Sequence, residues 1–463
     1  MRMILFHQSN CQMPSYARRC LVAAALFCAL VSGCARYVDK PLDATAQNTL
    51  APLDTAQLSA QVQLHPPALL PALDINPAGP WNDLQIALIA VLANPGLKAA
   101  RAQAKVADAQ VFSAGLLPDL QLGFNADHPD SAGTVNAYGI SVGFDFGALL
   151  LRSATRDKAR TAATAVRQNI AWQEWTVANQ ARMLARRLLL LQQQQTFASE
   201  AESAARNLLD LTSKNVAAGD AKLDDLALRR VALLDAADRA HTLARQVEAT
   251  RLTLNQNLGA SPEQQLPFAA TLPLHEFAAL DANALFAKAR NERLDLRALR
   301  AGYASQQAET RQAILGQYPV PVLTLNRARD TTPIYTKGAS VSLALPLWNR
   351  NRGTIAVAEA TREQLRLEYE SRLHETRAEI AAQVSELQSG CAQHALLQEQ
   401  LNRLQPEIQA LDSAVKNGDV ALIAYETARA SYLDKQIAAL VLAQTLAEGE
   451  ITLQLMVGAL LWN

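Results

Sequence analysis

The chain lacks most of what would mark a catalyst or a nucleic-acid-binding protein. Lysines plus arginines number 43 and aspartates plus glutamates also 43, so no surplus charge is available to hold a polyanion. Of the five cysteines, Cys11, Cys20 and Cys28 fall within the first 33 residues, leaving Cys34 and Cys391. One spare thiol in an exported chain makes neither a disulfide framework nor a zinc site. The histidines beyond residue 34 are scattered, with no i, i+4 pair, and the only methionines there are Met183 and Met456. No phosphate loop or nucleophile elbow is present, so neither enzyme chemistry, cofactor nor metal is implied. Aromatics are only 5% of the residues although half are apolar, a mixture that suits helices packed through Ala and Leu. Residues 148–218 contain neither Gly nor Pro. After Cys34 no apolar run has the length of a membrane-spanning helix, so a membrane crossing by the mature chain is expected to use β-strands.

What is present begins with a leader. Arg18 and Arg19 precede an apolar run over residues 21–31, which ends in Val31-Ser32-Gly33-Cys34. That ending resembles a bacterial lipobox, which implies removal of residues 1–33 and acylation of Cys34. Residues 34–80 are rich in proline and read as a lipid-anchored tether with little regular structure.

Two stretches alternate apolar and polar residues on both sides of a polar turn, the mark of a β-hairpin with one apolar face. In residues 118–147, Leu122, Phe124, Ile140, Val142 and Phe144 alternate with Gln121, Asn125, Ser141 and Asp145. In residues 319–347, Leu323, Leu325, Val341 and Leu343 alternate with Thr324, Asn326, Ser340 and Ser342. The two hairpins belong to a tandem repeat. Leu97 answers Leu296, Gly139 answers Gly338, Gly219 answers Gly418 and Gly259 answers Gly458, all at an offset of 199. The repeats are bounded at residues 81–262 and 279–461.

Each hairpin is followed by a long heptad-bearing segment. Ile170, Val177, Leu184 and Leu191 recur at sevens, as do Leu226, Leu233, Ala240, Val247 and Leu254, a pattern for coiled-coil packing. Gly219 and Gly418 interrupt these segments where each helix pair must reverse, because glycine takes the left-handed cap conformation cheaply. Arg182, Arg186 and Arg187 read as a solvated face of the first long helix.

Four strands of about nine residues are long enough for a tilted bilayer crossing, but the smallest membrane barrels need about eight strands. Several chains must therefore share one barrel, and dimers and trimers both satisfy the count.

The Asn94-Pro95-Gly96-Leu97 break, Leu117-Pro118 before a strand, and Leu345-Pro346-Leu347-Trp348-Asn349-Arg350-Asn351-Arg352-Gly353 after the fourth strand resemble TolC-like outer-membrane efflux proteins. The Pro-Leu-Trp-Asn-Arg-Asn-Arg-Gly run is most similar to the heavy-metal efflux branch of the CzcC kind. The resemblance implies a mainly α fold with a small β part, in which a homotrimer builds one transmembrane β-barrel continued by a helical tunnel. It implies a periplasmic adaptor at the helical tips, an inner-membrane transporter of the RND type, outer-membrane lipid around the barrel, and no nucleic acid. Gln121, Asn125, Ser141, Asp145, Thr324, Asn326, Ser340 and Ser342 would line the lumen. Gly219, Asp220, Asp224, Asp225, Gly418 and Asp419 would form the tips, and Trp348 would lie at the membrane interface. Ala424 and Thr427 stand where a second acidic group would be wanted, so an acidic ring is not complete. A membrane-tethered periplasmic coiled-coil scaffold explains the heptads and the lipobox but not the two hairpins.

Overall fold

The computed structural model describes residues 35–42, 53–64, 70–71, 75–76, 79–269, 280–332 and 334–462. The leader and Cys34 lie outside these. Residues 35–42 belong to an N-terminal unit of their own, carry no helix or strand, and are exposed.

In the second unit, residues 52–463, α1 (Thr55–Leu64) comes first, and the element order then runs through the same series twice. The first pass is α2 (Asp83–Ala93), α3 (Pro95–Ala114), β1 (Gln121–Asp127), β2 (Ala137–Asp145), α4 (Phe146–Ala218) and α5 (Leu223–Leu258). The second is α6 (Ala282–Glu292), α7 (Leu294–Leu315), β3 (Pro321–Arg329), β4 (Tyr335–Leu343), α8 (Arg352–Asn417) and α9 (Leu422–Val457). Freedom from Gly and Pro beyond Gly147 lets α4 run for 73 residues, about 110 Å at 1.5 Å per residue. Its heptad residues Ile170, Leu184 and Leu191 are buried as the period requires.

The strands form one antiparallel sheet in the order β1-β2-β3-β4. β2 and β4 therefore run in the same direction, and α4 and α8, which follow them, leave the same end of the sheet. The helices line up in the same sense. Near the sheet α3 packs on α4, α4 on α7 and α7 on α8; further along α5 packs on α4, α4 on α9 and α9 on α8. Strands and helices alike are an open row, with β1, α3 and α5 at one side and β4 and α8 at the other.

The core lies where the short helices meet the long ones. Ile86, Leu88 and Ile89 of α2 pack with Trp175 and Leu188 of α4 and with Leu254 and Leu258 of α5. The second repeat places Ile380, Val384, Leu387, Leu453 and Val457 in its own cluster, Leu453 and Val457 answering Leu254 and Leu258. Two expectations change here. Part of the proline-rich stretch is ordered: it contains α1, and Leu58, Leu70 and Ile75 are buried in the first core cluster, because apolar residues between the prolines find a surface to cover. Moreover, among the described residues α9 is long and apolar enough by composition to cross a membrane. It instead packs on α4 and α8 and buries Glu450 and Gln454.

Candidate functional site: a two-faced sheet, its junctions and two helical turns

Strand alternation assigns every side chain of the sheet to one of two faces. Register pairs Gly123 with Ser141, Asn125 with Gly139, Ser141 with Asn326, Thr324 with Ser340 and Asn326 with Gly338. Gln121, Asn125, Ser141, Asp145, Thr324, Asn326, Ser340 and Ser342 consequently share one face. Leu122, Phe124, Ile140, Val142, Leu323, Leu325, Val341 and Leu343 share the other.

The polar face has a feature that alternation alone did not reveal. Its glycines sit opposite polar side chains that lie over them. A Cβ on Gly338 would meet Asn326 Oδ1 at 2.7 Å, and one on Gly123 would meet Ser141 Oγ at 2.5 Å. A Cβ on Gly139 would collide with Asn125 in the same way. Glycine here supplies room for the cross-strand amide or hydroxyl to lie flat. The Asn-over-Gly pair recurs at the same place in both hairpins.

At the helix end of the sheet, Asp145 has a task beyond facing the polar side. Its Oδ1 accepts hydrogen bonds from Gly147 N at 2.7 Å and Ala148 N at 3.4 Å, capping α4 where four backbone donors would otherwise be orphaned. The second junction uses a different device. Arg350 and Asn351 adopt positive φ, 46° and 54°, and the Asn351 amide donates to Ala313 O at 2.7 Å. Arg152, 199 residues earlier than Asn351, donates its Nε to Gly115 O at 2.9 Å. Each repeat thus ties the start of its long helix to the carbonyl end of the preceding short one. The Asn349-Arg350-Asn351 run is the sharp turn this requires, since Asn tolerates the left-handed region better than most residues. Trp348, just before it, is 92% exposed.

The two helix reversals have one geometry. Gly219 and Gly418 have φ of 86° and 85°. Asp220 N donates to Asn215 O at 2.8 Å and Asp419 N to Ala414 O at 2.9 Å, the six-to-one bond of a Schellman cap. Asp220, Asp224, Asp225 and Asp419 are all exposed. Asp224 and Asp225 occupy the first turn of α5, where the helix dipole favours them, while the first turn of α9 has no acid. Neither returning helix has a side-chain cap: Lys222 and Ala421 hold the N-cap positions.

The largest departure from expectation is the arginine face of α4. Arg182 and Arg186 are buried, with side chains 4% and 3% exposed. Asp83 Oδ2 accepts from Arg182 Nε at 3.2 Å and from Arg186 Nη2 at 2.9 Å, and Glu450 Oε2 accepts from Arg186 Nη1 at 3.0 Å. Arg182 Nη1 also donates to Gln454 Oε1 at 3.1 Å and Asn179 Oδ1 at 3.0 Å. Burial pushes the Asp83 carboxyl up, yet the two guanidiniums more than reverse this and hold it below its ordinary value. This cluster joins α2, α4 and α9, and so joins the two repeats. Only Arg187 is partly solvated, paired with Glu448 at 2.6 Å.

The repeats are closed by equivalent contacts. Asn94 Nδ2 donates to Asn257 O at 2.7 Å, and Arg293, 199 residues on, donates to Met456 O at 3.0 Å. Arg101 and Arg300 cap the last turns of α2 and α6 through Val91 O and Arg290 O, each at 2.7 Å.

Residues 285–459 match the family model described as outer membrane efflux protein. Solved structures share the fold. The structure of CusC, described in terms of transmembrane channel formation, superposes with a TM-score of 0.66 at 17% identity, over 81% of this chain and 92% of that one. The outer-membrane channel OprN gives 0.66 at 16% identity, over 92% and 98%. VceC, an outer membrane protein of Vibrio cholerae, gives 0.66 at 17% identity, over 81% and 96%. No curated protein sequence matches this chain. The mostly helical chain with its four-stranded sheet therefore has the tunnel fold of outer-membrane channels.

Proposed function

We propose that this chain is the outer-membrane exit duct of a tripartite efflux pump. Three copies share one twelve-stranded barrel, an adaptor docks at the turns around Gly219 and Gly418, and an inner-membrane transporter of the RND type supplies energy. Acylated Cys34 adds a lipid anchor. The apolar sheet face meets lipid, the face bearing Asn125, Asn326 and Ser340 meets water, and Trp348 lies at the periplasmic interface. The duct conducts passively, and the run from Pro346 to Gly353 supports heavy-metal cations as the cargo.

One observation carries this reading: the row of elements is open at both sides and at every level. β1 and β4 are free edges, which a bilayer does not tolerate. The helices flanking them carry apolar residues without cover, Val106, Phe112, Leu228 and Val231 on one side and Val357, Leu367 and Leu396 on the other. Edges that differ from one another join head to tail, and a ring is the closed solution. A tethered scaffold would have no use for a sheet with one apolar face. Native mass measurement of the detergent-extracted full chain tests the proposal: three chains are expected, and a stable monomer would overturn it.

A further inference from the structure

The apolar face of the sheet is not apolar throughout. At the end beside the hairpin turns, away from α4 and α8, it carries Tyr138, Arg327, Arg329, Tyr335 and Lys337. Register sets Arg327 directly opposite Lys337 and Arg329 between Tyr138 and Tyr335. Like charges directly opposite on a sheet repel one another. Neither Arg327 nor Lys337 joins an ion pair among the described residues, and no carboxylate shares their face. Arg329 lies over the Tyr335 ring at 5.8 Å, and its Nε has no hydrogen-bond partner among the described residues although it is buried. A cavity of about 600 Å³ opens beside them, lined among others by Tyr138, Ile140, Val142, Arg327, Tyr335 and Lys337. The hairpin itself does not require this charge. Counting from the equivalent pairs Asn125–Gly139 and Asn326–Gly338, where the first strands are offset by 201 and the second by 199, the positions answering Arg327 and Lys337 are Ala126 and Tyr138.

We propose that this patch binds the phosphate of an anionic lipid headgroup in the outer leaflet, with the acyl chains laid along Ile140, Val142 and Leu325. It rests on the reading above, that this face meets lipid. Two cations without a carboxylate, Arg327 and Lys337, on a cavity whose floor is apolar, with Arg329 beside them on the same face, complement a ligand with a phosphate at one end and hydrocarbon at the other. Guanidinium offers phosphate a bidentate fork, and a phosphate between Arg327 and Lys337 removes the repulsion between them. Depth agrees as well. Arg327 lies two residues from the end of β3, about 7 Å along the strand, where a charge near the interface costs little and a long side chain reaches the headgroups. The two tyrosines flank the cations at the height where amphipathic rings collect.

The test uses the purified full chain in detergent, titrated with phosphorylated lipid A or with lipid A stripped of its phosphates, and read by native mass spectrometry. The wild type is expected to retain the phosphorylated form about tenfold or more tightly, the equivalent of one charge-assisted contact. The variant carrying Arg327→Gln and Lys337→Gln should remain trimeric and lose that preference. A trimeric wild type that does not distinguish the two lipids overturns the inference and leaves the duct standing, as does a trimeric variant that keeps the preference. A monomeric wild type overturns the duct itself, and this inference with it. Should the double variant fail to assemble, Arg327→Gln and Lys337→Gln made singly carry the same test: each should weaken the preference, and two trimeric single variants that both keep it in full overturn the inference.

Discussion

Replacing Arg186 by Met should loosen the joint between the two repeats, and the size of the effect follows from what is left behind. The Arg186 side chain is 3% exposed and the carboxylate it faces, Glu450, 1%. Asp83 keeps Arg182 as a partner, whereas Glu450 loses the two guanidinium contacts from Arg186, Nη1 at 3.0 Å and Nη2 at 3.5 Å. Removing one member of a buried pair typically costs about 3–5 kcal/mol, because the remaining charge is stranded. In a chain of this size global unfolding is not a single step, so the effect is best read locally by amide hydrogen exchange. Protection in α4 around Ala185 and in α9 around Ile451 should fall by about two to four orders of magnitude. Combining Arg186→Met with Glu450→Leu should restore most of it, since a well-packed apolar pair is often as stable as the ions it replaces. Equal losses in the single and double variants would show that packing volume, not stranded charge, governs the joint, and the reasoning would fail.

The same cluster sets a pH dependence. Asp83 is held below its ordinary pKa of 3.8, so its contribution is complete above that value and drains as pH falls through the lower native one. The difference in exchange protection between wild type and Asp83→Asn should therefore be large at pH 6 and shrink on acidification below about pH 4. The positive-φ glycines should divide into two kinds. At Gly418 a Cβ meets nothing within 4 Å, so Gly418→Ala costs only backbone strain of about 1–2 kcal/mol; at Gly458 a Cβ would lie 2.9 Å from Arg293 Cα, so Gly458→Ala should unfold the end of α9 at clearly lower denaturant. Gly418→Val should still assemble as a trimer while losing adaptor crosslinking and export, and normal export by that variant would remove the turns from the docking surface. Cys34→Ala should abolish incorporation of a fatty-acid probe, and persistent labelling would end the lipoprotein assignment.

The hairpins, the duplication and the reversal points are local in origin, which is why the chain declares them. Period-two alternation around Asn125 and Asn326 fixes which face is polar, and a lone Gly such as Gly219 in a Gly-free stretch marks where φ must turn positive. The buried arginines are a different matter. Asp83 lies about a hundred residues from Arg182, and Glu450 is 264 residues from Arg186, so no window contains both charges. Arg182 and Arg186, four residues apart, look like a solvated stripe until α2 and α9 close over them. One sign was available: they flank Leu184, a heptad position, and so sit beside the buried seam. The role of Asp145 was similarly divided. Alternation places it on the polar face, whereas only the helix beginning at Phe146 shows that its carboxylate is engaged as a cap. Ala126 and Arg327 illustrate the converse, a place where two repeats otherwise in step part company.

The open row of strands and helices also has a genetic consequence. Each chain offers one edge of each kind, so a copy in which β4 is blocked can still join a normal neighbour through β1. In the proposed ring it would then block closure. With threefold closure and equal expression of blocked and normal chains, only about one ring in eight would be wholly normal, so a lesion confined to an edge should be dominant. A lesion that prevents the same chain from folding leaves normal copies to close among themselves and should be recessive. Dominance, scored in cells carrying both alleles, thus separates residues that hold a chain together from residues that hold chains to each other.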